Sequence, residues 1–177
     1  VSKLKSKAVA EPRLLLGHGA SGTSASMRPW VTEFARHGVR AVALDLPRSN
    51  PERAVGVFRT ALEEEPGAAI GGHSFGGRMA SLLAADQPVN ALVLLSYPLH
   101  RPGHPDDVRT AHWPRIACPV LLLSGDRDPF AKIELLRHEV RRLGDAELVV
   151  YPGIGHGLLA VREDAAARVA AFLVSRA

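Results

Sequence analysis

The 177-residue chain holds one cysteine, Cys118, so no internal disulfide can form. That fits a reducing, cytoplasmic setting. Aromatic residues are scarce, at 5%, and leave little material for stacking on nucleic-acid bases. Lysine is scarce as well: 18 of the 22 Lys and Arg residues are arginine. They are scattered over segments that read as amphipathic helices. The net charge of +4 therefore describes a solvated surface, and no nucleic-acid partner is expected. No apolar run approaches the roughly 18 residues needed to cross a bilayer, so no membrane partner is expected. Lys3, Lys5 and Lys7 lack the apolar segment that would make the N-terminus a secretory signal. No Gly-Lys-Ser/Thr phosphate loop and no dinucleotide fingerprint follow the first strand, which argues against a nucleotide cofactor. His100, His104, Asp106, Asp107 and His112 crowd one segment. Their uneven spacing in a proline-rich stretch is poor support for a metal site, and none is expected.

Short apolar runs are present, alternating with helical patterns. Leu14 to Leu16, Val39 to Leu46, Ala68 to Gly71, Ala91 to Leu95, Val120 to Leu123 and Leu148 to Tyr151 suit strands of a parallel sheet covered on both faces. Helices are predicted over Ser26 to His37, from Asn50-Pro51-Glu52 through Leu62, over Phe75 to Gln87, along the Ile133–Leu143 stripe, and over Glu163 to Val174. Asn50 is an N-cap before a first-turn proline, and Gly38 is a C′ residue. Strand and helix repeat in the order of an open α/β fold with right-handed crossovers. Residues 1–12 read as an N-terminal arm and 13–177 as one domain. Cys118, at the start of a strand, is a buried small residue at the wrong end of the sheet for chemistry.

Gly72-His73-Ser74-Phe75-Gly76 matches G-x-S-x-G after an apolar strand and before a helix. So tight a turn needs small flanking residues, and it forces the serine into strained backbone above the sheet. Gly17-His18-Gly19-Ala20-Ser21-Gly22, the Gly-His-Ser-Phe-Gly-Gly-Arg elbow and Gly-Asp-Arg-Asp-Pro-Phe complete the pattern. On these motifs residues 13 to 175 resemble the α/β-hydrolase superfamily. Within it they are similar to a small family related to dienelactone hydrolases, which includes a testis-expressed hydrolase-like protein and a chromatin-complex subunit.

The resemblance implies Ser74 as nucleophile, a base last in chain order, and an acid between them. Gly155-His156-Gly157, after the last strand, places His156 as the base. The family's Gly-x-x-Asp pattern selects Asp128, with Asp126 the rival whose other reading is a turn or cap residue. Asp45 reads as a loop-fixing residue, His18 as a shaper of the loop after the first strand, and His73 as pointing away from the nucleophile. Backbone N–H groups of Phe75 and of Ala20, or Gly19, would face the oxyanion.

The expected architecture is a minimal α/β-hydrolase fold. It has about six parallel strands in the order 2-1-3-4-5-6, helices on both faces and no cap domain. One short helix at most fits the segment from Pro98 to Cys118, around Pro105 to His112. An open cleft walled by Gly19, Tyr97, Phe75 and Phe130 would take a small acyl substrate. Two function classes follow. One is a serine hydrolase for a small ester or thioester, needing no cofactor. The other is a hydrolase-like binding or scaffold protein without turnover.

Overall fold

The computed structural model describes residues 11–176. The arm expected over 1–12 lies outside the described residues except for Glu11 and Pro12. The apolar runs form β1 (Arg13–Gly17), β2 (Arg40–Leu44), β3 (Ala69–His73), β4 (Leu92–Leu95), β5 (Val120–Gly125) and β6 (Ala146–Tyr151). They join in one sheet of order β2-β1-β3-β4-β5-β6 with every pairing parallel. This is the expected order, reached because each strand returns through a crossover long enough to hold a helix. The two edges differ from the expectation of strands covered on both faces. Val42 in β2 is 38% exposed, and most of β6 is only partly covered.

The helices are α1 (Arg28–Arg36), α2 (Pro51–Glu64), α3 (Phe75–Asp86), α4 (Ile133–Glu139) and α5 (Arg162–Val174). Local signals set several ends. The Arg53 N–H donates to Asn50 Oδ1 at 2.9 Å ahead of Pro51. Gly38, just past α1, takes φ +73°, the left-handed position that favours glycine. The α4 pattern was predicted to run to Leu143, but α4 ends at Glu139 and one tighter turn carries the chain to Arg142. Fully buried Phe58, Met79, Leu83 and Leu136 place α2, α3 and α4 on one face of the sheet. Trp30, Phe34, Val169 and Phe172 place α1 and α5 on the other.

No short helix forms over 105–112. The segment after β4 runs through turns to a single 3-10 turn at Trp113–Arg115. It is held down as a strap rather than raised as a cap. Trp113 is fully buried with its ring 5.1 Å from that of Tyr97. Thr110 Oγ1 donates to Glu139 in a buried hydrogen bond. His112 meets Ser81, Nε2 to Oγ, at 2.8 Å. Burial, and then the charges of Arg78 and Arg115, push the His112 pKa down to about 4 from an ordinary 6.5.

A pH dependence of stability follows. Between pH 6.5 and about 4 the unfolded chain binds a proton at this position that the folded chain does not. Stability is therefore whole above this window and falls as the pH drops through it. His73, whose pKa burial also lowers, acts in the same direction. Thermal unfolding from pH 7 to pH 4 should show a falling midpoint, with a shallower fall in His112→Gln. Parallel profiles for the two proteins would contradict the assignment.

Candidate active site

Ser74 follows β3 directly and is the last residue before α3. Its backbone, φ 51° and ψ −114°, lies in the strained region that the tight elbow imposes. The Ser74 N–H donates to the Leu95 carbonyl at 2.9 Å, and the Gly76 N–H to the His18 carbonyl at 2.9 Å. These bonds tie the elbow to β4 on one side and to the loop after β1 on the other. The glycines are required here: a Cβ on Gly72 would lie 2.8 Å from the Gly76 carbonyl carbon.

Ser74, His156 and Asp128 form one hydrogen-bonded line. Ser74 Oγ lies 2.8 Å from His156 Nε2, and His156 Nδ1 lies 2.8 Å from Asp128 Oδ2. A carboxylate only accepts, so Nδ1 carries the imidazole proton and Nε2 presents its lone pair to the serine hydroxyl. Asp128 is 5% exposed, and its other oxygen accepts the Phe130 N–H at 2.8 Å. Asp126, two residues earlier, is exposed and accepts the Gly153 N–H at 2.7 Å. It pins the turn that leads to His156. The Phe130 ring, 4.4 Å from the imidazole between centroids, bounds His156 on one side.

The loop after β1 brings Gly19 and Ala20 to the mouth of the elbow. His18, 2% exposed, shapes it. Its Nε2 accepts the Leu46 N–H at 3.0 Å, which leaves Nδ1–H to donate to the Gly19 carbonyl at 2.8 Å. A Cβ on Gly19 would stand 3.1 Å from the His73 ring, a tight contact that the ring would have to ease, so glycine favours this close approach of the loop to the serine. Phe75 occupies the first position of α3, where an N–H has no intrahelical acceptor and the helix field favours negative charge. Asp45 acts as a loop-fixing residue: Ser24 donates to it through both N–H (2.7 Å) and Oγ (2.8 Å).

Two expectations need correction. Tyr97 does not wall the cleft. It is 1% exposed, packs on Trp113, and donates its hydroxyl to the Arg109 carbonyl at 2.6 Å. Ser96, at φ +50°, breaks the strand alternation and turns the next side chain down into the core. His73 does not point away from the reacting groups either. It borders the cleft, and its Nε2 donates to the His156 carbonyl at 3.0 Å, buttressing the loop that carries the imidazole.

The cleft itself, about 740 Å³, is bordered by Met27, Trp30, Phe75, Phe130, Leu158 and Leu159, and also by Arg78 and Arg109. The arginines were not anticipated. Arg78 had a signal, because residues four apart on a helix share a face and Arg78 is four past Ser74. Arg109 had none. Among the described residues no three His, Cys, Asp or Glu side chains are grouped to hold a metal ion. Cys118 is buried at the opposite end of β5, and burial pushes its thiol up to about 11.

A parallel sheet in this order, with a serine elbow between its third strand and the following helix, defines an α/β hydrolase. The family model of the alpha/beta hydrolase domain matches residues 48–169, and the chain belongs to that family. Solved structures share the fold at low identity. A monoacylglycerol lipase from Paleococcus ferrophilus superposes with a TM-score of 0.81 at 17% identity, over 93% of this chain and 95% of that one. Est1E from Butyrivibrio proteoclasticus with bound ferulic acid gives 0.76 at 16%, over 93% and 90%. A thioesterase domain from the curacin biosynthetic pathway gives 0.73 at 17%, over 93% and 91%.

Proposed function

We propose that this protein is a serine hydrolase that cleaves a small carboxylic ester or thioester through an acyl-enzyme. The observation that carries this reading is the unbroken line of 2.8 Å contacts from Ser74 through His156 to Asp128. Ser74 Oγ attacks the substrate carbonyl carbon while His156 Nε2 takes its proton. Asp128 holds the imidazole in the needed tautomer and stabilises the imidazolium. The N–H groups of Phe75 and Ala20 face the negative charge that develops on the carbonyl oxygen. The carbon–oxygen or carbon–sulfur bond to the leaving group then breaks, and His156 returns its proton to that group. Water, deprotonated in turn by His156, releases the acid and restores Ser74. Neither a metal nor an organic cofactor enters these steps.

The direct test is labelling by a fluorophosphonate, which forms a covalent adduct only with an activated serine. Labelling that maps to Ser74 supports the hydrolase. A folded protein that stays unlabelled at saturating reagent would favour the binding or scaffold reading instead. Substrate length is a second check. Among the described residues no cap layer lies over the cleft, so apolar chain beyond its walls would stay in water and add little binding. Among p-nitrophenyl esters, kcat/KM should be highest for short acyl groups and should not rise for chains of about ten carbons or more. A preference for those long chains would overturn the short-acyl reading.

A further inference from the structure

Two guanidinium groups share the cleft with Ser74. Arg78 comes from the second turn of α3, and Arg109 from the strap between β4 and β5. Neither has a counter-ion among the described residues, which include all 18 acids of the chain. The charge of Asp107 reaches Arg109, but Asp107, Asp128 and Glu139 each pair with another side chain. Asp128 pairs with His156, Asp107 with Arg101, and Glu139 with Arg142. Arg78 Nε is buried without a hydrogen-bond partner among the described residues. The two cations also act on each other: burial, and then the charge of Arg78, lower the pKa of Arg109.

Holding two like charges together at a partly desolvated wall opposes folding unless something else gains from it. The strap is nonetheless anchored so that Arg109 stays there. Its N–H donates to the Leu99 carbonyl at 2.8 Å, and its carbonyl accepts the Tyr97 hydroxyl at 2.6 Å. The cleft is also divided in character. Met27, Trp30 and Leu158 belong to the α1–α5 side of the sheet, whereas Arg78 and Arg109 rise from the α3 side. A wholly neutral substrate would leave both guanidiniums unmatched. Their planar forks fit the oxygens of a carboxylate or a phosphate, with paired N–H donors.

We infer that the ester or thioester cleaved at this site carries an anionic oxygen group, a carboxylate or a phosphate, seated on Arg78 and Arg109. This rests on the serine-hydrolase reading and narrows its substrate class.

Two substrate pairs test it and separate the sources of the charge. The p-nitrophenyl monoester of adipic acid and its methyl diester differ by a charge on the acyl side. Acetyl-4′-phosphopantetheine and acetylpantetheine differ by a charge on the leaving group. In at least one pair the anionic member should have a kcat/KM about tenfold higher, an advantage that shrinks as salt is added. Arg78→Gln and Arg109→Gln should each cut that anionic-to-neutral ratio by about tenfold, and Arg78→Lys should retain part of it. Arg59→Gln, on the exposed face of α2, should leave the ratio unchanged. Calorimetry of monomethyl adipate and of inorganic phosphate on Ser74→Ala reads the anion site without turnover. Binding of either, lost in Ser74→Ala/Arg78→Gln, supports the site. A protein that labels at Ser74 yet shows no anionic preference in either pair overturns the inference and leaves the hydrolase standing. Absent labelling overturns the hydrolase reading and the inference with it, and intact anion binding would then describe an anion-binding cleft without turnover.

Discussion

Ser74→Ala is expected to abolish fluorophosphonate labelling and to lower kcat by about four to six orders of magnitude. The size of the loss reflects how the three side chains work together. Without Oγ there is no acyl-enzyme, and His156 has no hydroxyl proton to take. What survives is the contribution of the oxyanion donors and of binding. Asp128→Asn should lower kcat by about four orders of magnitude. An amide at that place donates as well as accepts, so it can turn the imidazole to the tautomer that no longer offers Nε2 to the serine. Asp126→Asn should cost far less, because Asp126 holds only the Gly153 N–H at the start of the loop. Steady-state kinetics on the three variants, with circular dichroism to establish folding, provide the check. Equal losses for the two aspartates, or a greater loss at Asp126, would reassign the acid.

Gly76→Ala should be among the most damaging single methyl additions near the site. Helix α3 starts so close to β1 that a Cβ on Gly76 would overlap the carbonyl carbon and oxygen of Gly17. Those are backbone atoms of a central strand, and no rotamer change can relieve the clash. Reciprocally, a Cβ on Gly17 would fall 2.8 Å from Gly76 Cα. Either α3 shifts outward, breaking the Gly76 N–H bond to His18, or β1 leaves its register. We expect a loss of more than about 3 kcal/mol, which for a chain of this size lowers the melting midpoint by about 10 °C. Gly56→Ala is the control, since a Cβ there meets nothing within 4 Å. Differential scanning calorimetry of both variants decides the matter. A Gly76→Ala protein that melts with the wild type would mean that the helix start is more yielding than its packing implies.

Much of this architecture is written in local pattern. The apolar runs fix where the four inner strands form because a strand covered on both faces has no polar side to show. Pro51 after Asn50, and Gly38 after α1, mark helix ends by the chemistry of a few neighbouring atoms. The parallel order of the sheet follows from helix-length crossovers and their one favoured hand. The elbow is legible for the same reason: small residues around a serine, between strand and helix, leave the backbone no roomier path. The choice of Asp128 over Asp126 came from the family pattern. In the structure the two differ in burial and in partner.

Other features depend on contacts between residues distant in sequence, and tertiary structure alone decided them. Tyr97 reads as a cleft residue because it follows a strand at the end where ligands bind. The left-handed turn at Ser96 sends it into the core, against a tryptophan sixteen residues further on. His73 reads as turned away, yet the packing of the β6–α5 loop sets the His156 carbonyl against its ring. The proline-rich strap has no periodicity to read. Bonds to Ser81, Phe130 and Glu139, which lie on other elements, flatten it over α3 and so carry Arg109 to the cleft. Sequence by itself determined the sheet, the elbow and the kinds of residue near it, because each depends on neighbours a few positions away. Which charges line the cleft was decided only when the strap packed, because an irregular segment takes its course from the surfaces it meets.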